Sequence, residues 1–231
     1  MKSFEIITIF LTGGSLLSLF FYRSRGPFLY LLFLASIAAI VQYLADGLRW
    51  QMLAAIYILP AMFITYKYKA VNRFTGTILG AWFLISSFIP WAVPVFTMPA
   101  PGGDFHIGSE TFHWVDSSRL EWFTDENDKD VREIMVQAWY PSDSSSSTDP
   151  NPYMDFMKLR SKTLASAGKI PAFLPSHLDM IITNTRNDAD CSEKLAKYPV
   201  FIFSHGITGS RHLHQILFEH LASKGYVVFA P

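Results

Sequence analysis

The chain has 231 residues, 50% of them hydrophobic, and its 19 basic and 19 acidic side chains cancel to a formal net charge of zero. This balance gives no electrostatic basis for nucleic-acid binding, and a single cysteine, Cys191, excludes an internal disulfide. The length permits one or two domains. Residues 1–98 hold seven basic and two acidic side chains, whereas residues 99–231 hold twelve and seventeen. The two parts are therefore expected to occupy different environments.

Four long apolar stretches predict a transmembrane region over residues 1–98. The stretches cover about residues 4–22, 27–45, 50–66 and 76–96. Each is close to the ~20 residues that cross a ~30 Å hydrocarbon core. The first is not expected to be a cleaved signal peptide, because its apolar region is long and no small-residue cleavage site follows. Because Glu5 and Asp46 fall at helix edges, no charge pair within the membrane is expected.

Basic residues in the short loops predict the orientation of these helices. The first and third loops contain Arg23, Arg25, Lys67, Lys69 and Arg73. The opposite side carries Lys2 and Arg49. Positive residues favour the cytoplasm. The sequence thus predicts a multi-pass cell-membrane protein, with the bilayer as a partner and both the N-terminus and the C-terminal domain extracytoplasmic.

A proline- and glycine-containing linker, residues 99–107, separates this region from two predicted strands. Gly108–Val115 and Glu133–Tyr140 alternate in polarity and contain β-favouring residues, so we expect an antiparallel pair, with Pro141 ending the second strand. The connection, residues 116–132, contains an acidic run. Its spacing is not that of an EF-hand, which favours a solvated loop over a calcium site.

The next segment gives weaker signals. Ser142–Pro152 is rich in serine and predicts a surface loop. Short helices are predicted near Met154–Leu159 and Ser161–Ala167. A further helix is predicted over Ser176–Thr183, with Ser176 as its N-cap. These residues leave open whether the segment lines a pocket or only packs.

Residues 198–231 predict a βαβ unit. Val200–Phe203 and Tyr226–Ala230 are apolar runs typical of strands covered on both faces of a parallel sheet. Between them, His205–Gly209 reads as a tight glycine turn leading into a helix. Strand, turn, helix and strand together form one such unit of roughly 30 residues.

The predicted helix of this unit covers Leu213–Lys224, and Gly225 is suited to its C-terminal cap. Its expected apolar face, spaced at helical periodicity, consists of Leu213, Ile216, Leu217 and Leu221. His212 and His214 are two positions apart and would point to different faces, which is poor zinc geometry. They are predicted to be surface residues.

No G-x-S-x-G nucleophile motif occurs in the 231 residues. Ile202–Gly206 comes nearest and lacks the leading glycine, so Ser204 is predicted to be a strand-end serine rather than a nucleophile. Cys191 lies in a polar stretch, which favours an incidental thiol over a catalytic one.

The order strand, S-H-G-x-x-G, helix and G-Y-V-V-x-A-P resembles the early core of α/β-hydrolases. It is most similar to the plasma-type platelet-activating factor acetylhydrolases and their bacterial membrane-anchored relatives. The motifs T-F-H-x-x-D and R-E-I-M-V-x-A-W-Y-P resemble the opening strands of the same family. The likeness therefore runs from about Gly108 to Pro231. It implies the N-terminal part of an α/β-hydrolase domain, with a mixed, mainly parallel sheet, over residues 108–231.

In that family the loop after the third strand supplies part of an oxyanion hole. The resemblance implies that the backbone N–H of Ile207 is a donor and that His205 and Gly206 shape the turn. One such donor is worth ~2.7–4 kcal/mol in the transition state. The implied reaction is attack by a serine on an ester carbonyl, with a histidine base and an orienting acid. No metal or cofactor is implied.

The expected function is that of a membrane-anchored serine ester hydrolase or lipase acting on phospholipid or short acyl esters. Its catalytic triad is not present in this chain, and we expect the 231 residues to be the N-terminal portion of a longer enzyme. Two alternatives stay open. The chain could be a complete, non-catalytic membrane protein with a degenerate hydrolase-like interaction domain, or it could belong to another α/β-hydrolase activity, such as a peptidase or acyltransferase. The sequence does not indicate an oligomeric state.

Overall fold

A computed structural model describes residues 1–21, 26–124, 127, 129–143, 150–206 and 209–231. The chain divides into two compact units. One comprises Met1–Val95 and Ser161–His177, and the other comprises Phe96–Arg160 and Leu178–Pro231. Arg23 and Arg25, which support the predicted orientation, lie outside the described residues. So do three residues of the acidic run and most of the serine-rich loop.

Four helices make up most of the first unit. They are α1 (Ser3–Phe21), α2 (Gly26–Asp46), α3 (Trp50–Lys67) and α4 (Arg73–Ala92). Among the described residues, three helices, α1, α2 and α4, are long and apolar enough to span a membrane. The predicted count of four transmembrane helices is therefore not confirmed, since α3 includes Gln51, Pro60 and Lys67. Helix α4 ends before residue 96 because Pro94 disfavours helical backbone in the residue before it.

A buried ion pair lies inside this helical unit. Arg49 donates to the carboxylate of Glu5, and both side chains are fully buried. Glu5 lies in the first turn of α1, at a helix edge as expected, and Arg49 directly precedes α3. The expectation of no charge pair within the membrane stays a prediction. Arg49 also donates to the carbonyl oxygen of Val93 at 3.4 Å, and the Gln51 amide donates to the same oxygen at 3.2 Å. These contacts join α1, the start of α3 and the end of α4.

One mixed sheet organises the second unit. Its strands are β1 (His106–Leu120), β2 (Val131–Ser142), β3 (Pro150–Pro152), β4 (Ile182–Asn187), β5 (Val200–Ile202) and β6 (Val227–Ala230). Their order is β3-β4-β1-β2-β6-β5. Strands β1 and β4 pair in parallel, as do β5 and β6, and the other three described pairings are antiparallel. The sheet is mixed as predicted, but its described strands are not mainly parallel.

The predicted pairing of β1 with β2 is confirmed. Gly108 lies opposite Tyr140, and Val115 lies opposite Glu133. The expectation that Pro141 ends the strand is wrong, because it still pairs with Ile107. In the described register, β6 reaches β2 at residues 137–139 and not at Pro141. There the Pro141 carbonyl oxygen accepts from the N–H of Ser192 at 2.8 Å, and Ser142 forms an isolated antiparallel bridge with Cys191.

The segment before β5 differs from its prediction. A single helix, α5 (Met157–Gly168), replaces the two short helices. Leu174–Met180 forms a 3₁₀ helix, and β4 follows where the helix over Ser176–Thr183 was expected. The Ser176 hydroxyl donates to the carbonyl oxygen of Phe173 instead of capping a helix.

The βαβ unit is confirmed in its connectivity. After β5 come a 3₁₀ turn (Arg211–His214), α6 (Gln215–Ser223) and then β6, which pairs in parallel with β5. Gly225 has φ +93°, as the predicted helix-ending glycine requires. The expected burial of β5 on both faces is wrong: its side chains are 57%, 47% and 84% exposed. Strand β5 lies at the edge of the described sheet, with β6 on one side.

The face of α6 that packs on the sheet matches the predicted one only at Leu221, which packs partly buried against the core of this unit. Phe218 and Ala222 are buried against Trp139 and Val228, with the Trp139 and Phe218 ring centroids 4.8 Å apart. The predicted face remains about half exposed at Leu213, Ile216 and Leu217. Phe218 and Ala222 therefore form the buried apolar side of this helix.

Candidate functional site

The predicted glycine turn begins at His205, and residues 203–204 separate it from the end of β5. The N–H of Gly209 donates to the carbonyl oxygen of Gly206 at 2.9 Å, which closes the turn. The residues His205 and Gly206 are exposed within it, and His205 Nδ1 lies 3.0 Å from the Gly206 oxygen. Ile207, the predicted backbone donor, lies outside the described residues. The part of these three residues in oxyanion binding stays a prediction.

The two glycines of the turn have different surroundings. A Cβ on Gly209 would lie 2.9 Å from the Cβ of His205 and 3.0 Å from the oxygen of Gly206, so no side chain fits without movement. A Cβ on Gly206 would have no atom of the described residues within 4 Å. Gly209 is thus needed for close packing, whereas Gly206 borders open space. Ser204 follows β5 and is exposed.

A partly buried polar cluster lies just beyond the turn. We call Asp155, Arg160, Arg211, His212 and Gln137 the Asp155 cluster. Arg211 Nη2 donates to Asp155 Oδ2 at 3.0 Å. Arg160 Nη2 and His212 Nε2 lie 2.8 Å and 3.1 Å from Asp155 Oδ1. Three nitrogen donors therefore converge on one carboxylate.

Arg211 also joins the cluster to the sheet. Its Nε donates to Gln137 Oε1 at 3.0 Å, and Gln137 Nε2 donates to Ser109 Oγ at 2.8 Å. Gln137 lies on β2 and Ser109 on β1, and all three residues are buried. A continuous chain of hydrogen bonds thus runs from the end of the turn to two neighbouring strands.

Nearby charges and hydrogen bonds keep the carboxylate of this cluster ionised. Burial acts to raise the pKa of Asp155, but the His212 hydrogen bond and the charges of Arg211 and Arg160 outweigh it and lower that pKa to about 2. Burial lowers the pKa of His212, against the opposing effect of Asp155. At neutral pH the carboxylate is therefore ionised. Since it can only accept, the neutral His212 ring donates through Nε2.

Sequence reasoning missed this cluster. His212 was expected at the surface, but it is 3% exposed, because its ring is held against Asp155. Asp155 and Arg211 are 56 positions apart, and no local pattern joins them. His214 is exposed as expected, with its ring centroid 4.8 Å from that of Phe203.

Another buried carboxylate, that of Glu219, lies on α6. Asn184 Nδ2 donates to Glu219 Oε2 at 2.7 Å, and burial raises the pKa of Glu219. Its other oxygen, Oε1, is buried without a hydrogen-bond partner among the described residues. Within that same part of the chain, no group of three or more histidine, cysteine or acidic side chains is placed to hold a metal ion.

Comparison with known proteins places these features in context. Residues 94–231 match the family model described as platelet-activating factor acetylhydrolase, isoform II. Among solved structures, a ferulic acid esterase from Streptomyces cinnamoneus is 29% identical, with a TM-score of 0.44. That alignment covers 59% of this chain and 36% of the esterase, so the chain spans little more than a third of that protein's length. No curated protein matches the chain.

Proposed function

Because the chain belongs to the platelet-activating factor acetylhydrolase isoform II family, we propose that it forms part of a serine ester hydrolase. The observation that carries the proposal is the family match over residues 94–231. The matched region includes β1, β2 and the whole βαβ unit, so it contains the turn after β5 and the strands next to it.

In this proposal the turn after β5 binds the carbonyl oxygen of the ester. The N–H of Ile207 donates to that oxygen as it becomes negative, and His205 and Gly206 shape the backbone around it. The open space beside Gly206 supports this role, since a carbonyl group must approach the main chain closely. The close packing at Gly209 supports it too, because it restricts the backbone of the turn.

The chemistry is acyl transfer through a serine. The serine oxygen attacks the carbonyl carbon while a histidine accepts its proton, and the alcohol leaves with a proton from the same histidine. Water then attacks the acyl-enzyme and releases the acid. The motif G-x-S-x-G does not occur in the 231 residues, so none of their serines is assigned as the nucleophile.

The helical unit supports the substrate class that the family resemblance implies. Helices α1, α2 and α4 are apolar enough to span a membrane, and we assign them the role of an anchor with the hydrolase unit on the extracytoplasmic side. Esters with acyl chains partition into bilayers, so an anchored enzyme meets them at high local concentration. Phospholipid or short acyl esters are the proposed substrates.

Fluorophosphonate labelling of native membranes tests the proposal, because the probe reacts with an activated serine. A labelled band that yields peptides of this chain is the expected result, and heating the membranes first should abolish it. Peptides of this chain found only in unlabelled bands would contradict the proposal and favour a non-catalytic interaction domain. A labelled enzyme that cleaves peptide amides faster than p-nitrophenyl esters would retain the serine and overturn the substrate class.

A further inference from the structure

We propose that Asp155 and Arg211 are positioning residues that hold the turn after β5 in its binding geometry without touching the substrate. The inference deepens the proposed function and rests on it, because it concerns the support of the same turn. Arg211 is two positions beyond Gly209, and its guanidinium is buried among the Asp155 cluster. It is therefore placed to act on the turn through the backbone.

The turn is held at both ends, by different means. On the upstream side, main-chain pairing with β6 fixes the backbone, and the N–H of Phe203 donates to the carbonyl oxygen of Phe229 at 2.8 Å. On the downstream side, the 3₁₀ turn has four residues, and Ser210 before it makes no side-chain capping bond in the described structure. Among the described residues, the buried side chains of Arg211 and His212, both bonded to Asp155, hold this end.

A planar guanidinium suits this task because it fixes two directions at once. Nε of Arg211 points to Gln137 on β2, and Nη2 points to Asp155. Gln137 lies within β2 and is held in turn by Ser109 on β1. A lysine would keep the positive charge but could not make both bonds in the same geometry.

Asp155 is itself fixed by neighbours outside the turn. Arg160 bonds to both its main chain and its side chain: Nε donates to the Asp155 carbonyl oxygen at 2.9 Å, and Nη2 lies 2.8 Å from Oδ1. Two positions earlier, the N–H of Tyr153 donates to the carbonyl oxygen of Ile181 at 2.8 Å. The carboxylate that receives Arg211 therefore has a defined position.

An exposed pair in the same unit provides a matched comparison. Arg119 Nε lies 2.6 Å from Asp116 Oδ2, and these side chains are 68% and 34% exposed, against 7% and 26% for Arg211 and Asp155. Both pairs join an arginine to an aspartate. They differ in burial and in their distance along the chain from the turn, so only the Asp155 pair is expected to affect it.

The test uses the protein expressed from its own gene in native membranes, with variants Arg211→Lys and Asp155→Asn and controls Arg119→Lys and Asp116→Asn. Hydrolysis of a short p-nitrophenyl ester is measured together with hydrogen exchange of peptides covering residues 203–211 and 227–231. We expect kcat to fall roughly 10- to 100-fold in the two test variants with KM within about threefold, as for a misplaced binding group. Exchange should rise in the turn peptide alone, and the controls should match the native protein.

Two results would overturn the inference. The first is that Arg211→Lys behaves like Arg119→Lys in both measurements. The second is that exchange rises equally in the β6 peptide, which would mean that the cluster supports the whole fold and not the turn. If the native protein hydrolyses no ester, the proposed function fails by itself. Exchange of the turn peptide then decides the positioning inference alone, since that measurement needs no activity.

Discussion

The N–H of Gly209 donates to the carbonyl oxygen of Gly206 at 2.9 Å, so two glycines three positions apart close the turn after β5. They are not equivalent. One glycine packs against the turn itself, and the other borders open space. The same short loop therefore combines a tightly packed side, which defines the backbone, with an open side that a ligand can approach.

Substitution of these glycines should distinguish a role in packing the turn from a role in binding substrate. Gly209→Ala places a Cβ within 3.0 Å of the turn's own atoms, and we expect it to lower the free energy of unfolding by about 1–3 kcal/mol. Gly206→Ala meets no atom of the described residues within 4 Å. It should change stability by less than about 0.5 kcal/mol, while slowing ester hydrolysis by intruding on the substrate. Thermal unfolding in detergent measures the first effect. Equal destabilisation by both variants would refute the assigned difference.

The Asp155 cluster should make the protein sensitive to acid. The pKa of Asp155 is about 2 in the folded protein and 3.8 as its ordinary value, so its stabilisation is present above about pH 4 and is lost as the pH falls toward 2. The lowered pKa corresponds to a contribution of about 2 kcal/mol to the free energy of unfolding at neutral pH. Asp155→Asn should remove that part of the pH dependence, as measured by unfolding from pH 7 to pH 2.

Asp116 provides the control for this experiment. Hydrogen bonds from Ser118 and Arg119 also lower its pKa to about 2, but the pair is exposed and screened by water and salt. Asp116→Asn should therefore change the stability profile far less than Asp155→Asn. If the two profiles shift equally, burial of the Asp155 cluster has no special energetic effect.

Glu219 should show the opposite dependence on pH. Burial raises its pKa in the folded protein, so the folded state binds the proton more tightly, and stability falls as the pH rises above the ordinary value of 4.5. Glu219→Gln removes the buried charge and keeps an oxygen that can accept from Asn184. We expect it to raise the free energy of unfolding at pH 7 and to flatten its decline with pH. Glu193→Gln, at an exposed position, is the matched control, and a stability loss at pH 7 in Glu219→Gln alone would contradict the prediction.

Removing one charge of the buried Glu5–Arg49 pair should destabilise the protein more than replacing both charges together. Glu5→Gln leaves Arg49 buried without a counter-charge, and we expect a loss of about 3–5 kcal/mol in detergent-solubilised protein. The double variant Glu5→Leu/Arg49→Leu should recover most of this loss. Asp46→Asn, which breaks the more exposed 3.3 Å contact with Lys2, is the control. A double variant no more stable than Glu5→Gln would mean that the pair has a role beyond charge compensation.

Sequence patterns predicted the elements whose signals involve residues close together in the chain. Alternation in Gly108–Val115 and Glu133–Tyr140 predicted the β1–β2 pair, and Gly225 predicted the end of α6, because both signals concern neighbouring residues. Strand β4 was missed, since its polar sequence becomes a strand only by pairing with β1 and β3. The Asp155 cluster was missed for the same reason: it depends on residues brought together by the fold.

The packing of α6 shows the same difference between sequence pattern and fold. The periodic apolar stripe predicted a core face that includes Leu217, yet Leu217 is 50% exposed and Phe218 is 1% exposed. Phe218→Ala should lower the free energy of unfolding by about 3–5 kcal/mol, because it leaves a cavity against Trp139. Leu217→Ala should lower it by less than about 1 kcal/mol, since the side chain keeps much of its contact with solvent when folded. Both substitutions lie on α6, one position apart, so the change in helix propensity is nearly the same for both. If Leu217→Ala proved the more damaging, the stripe and not Phe218 would be the buried face of α6 in the native protein.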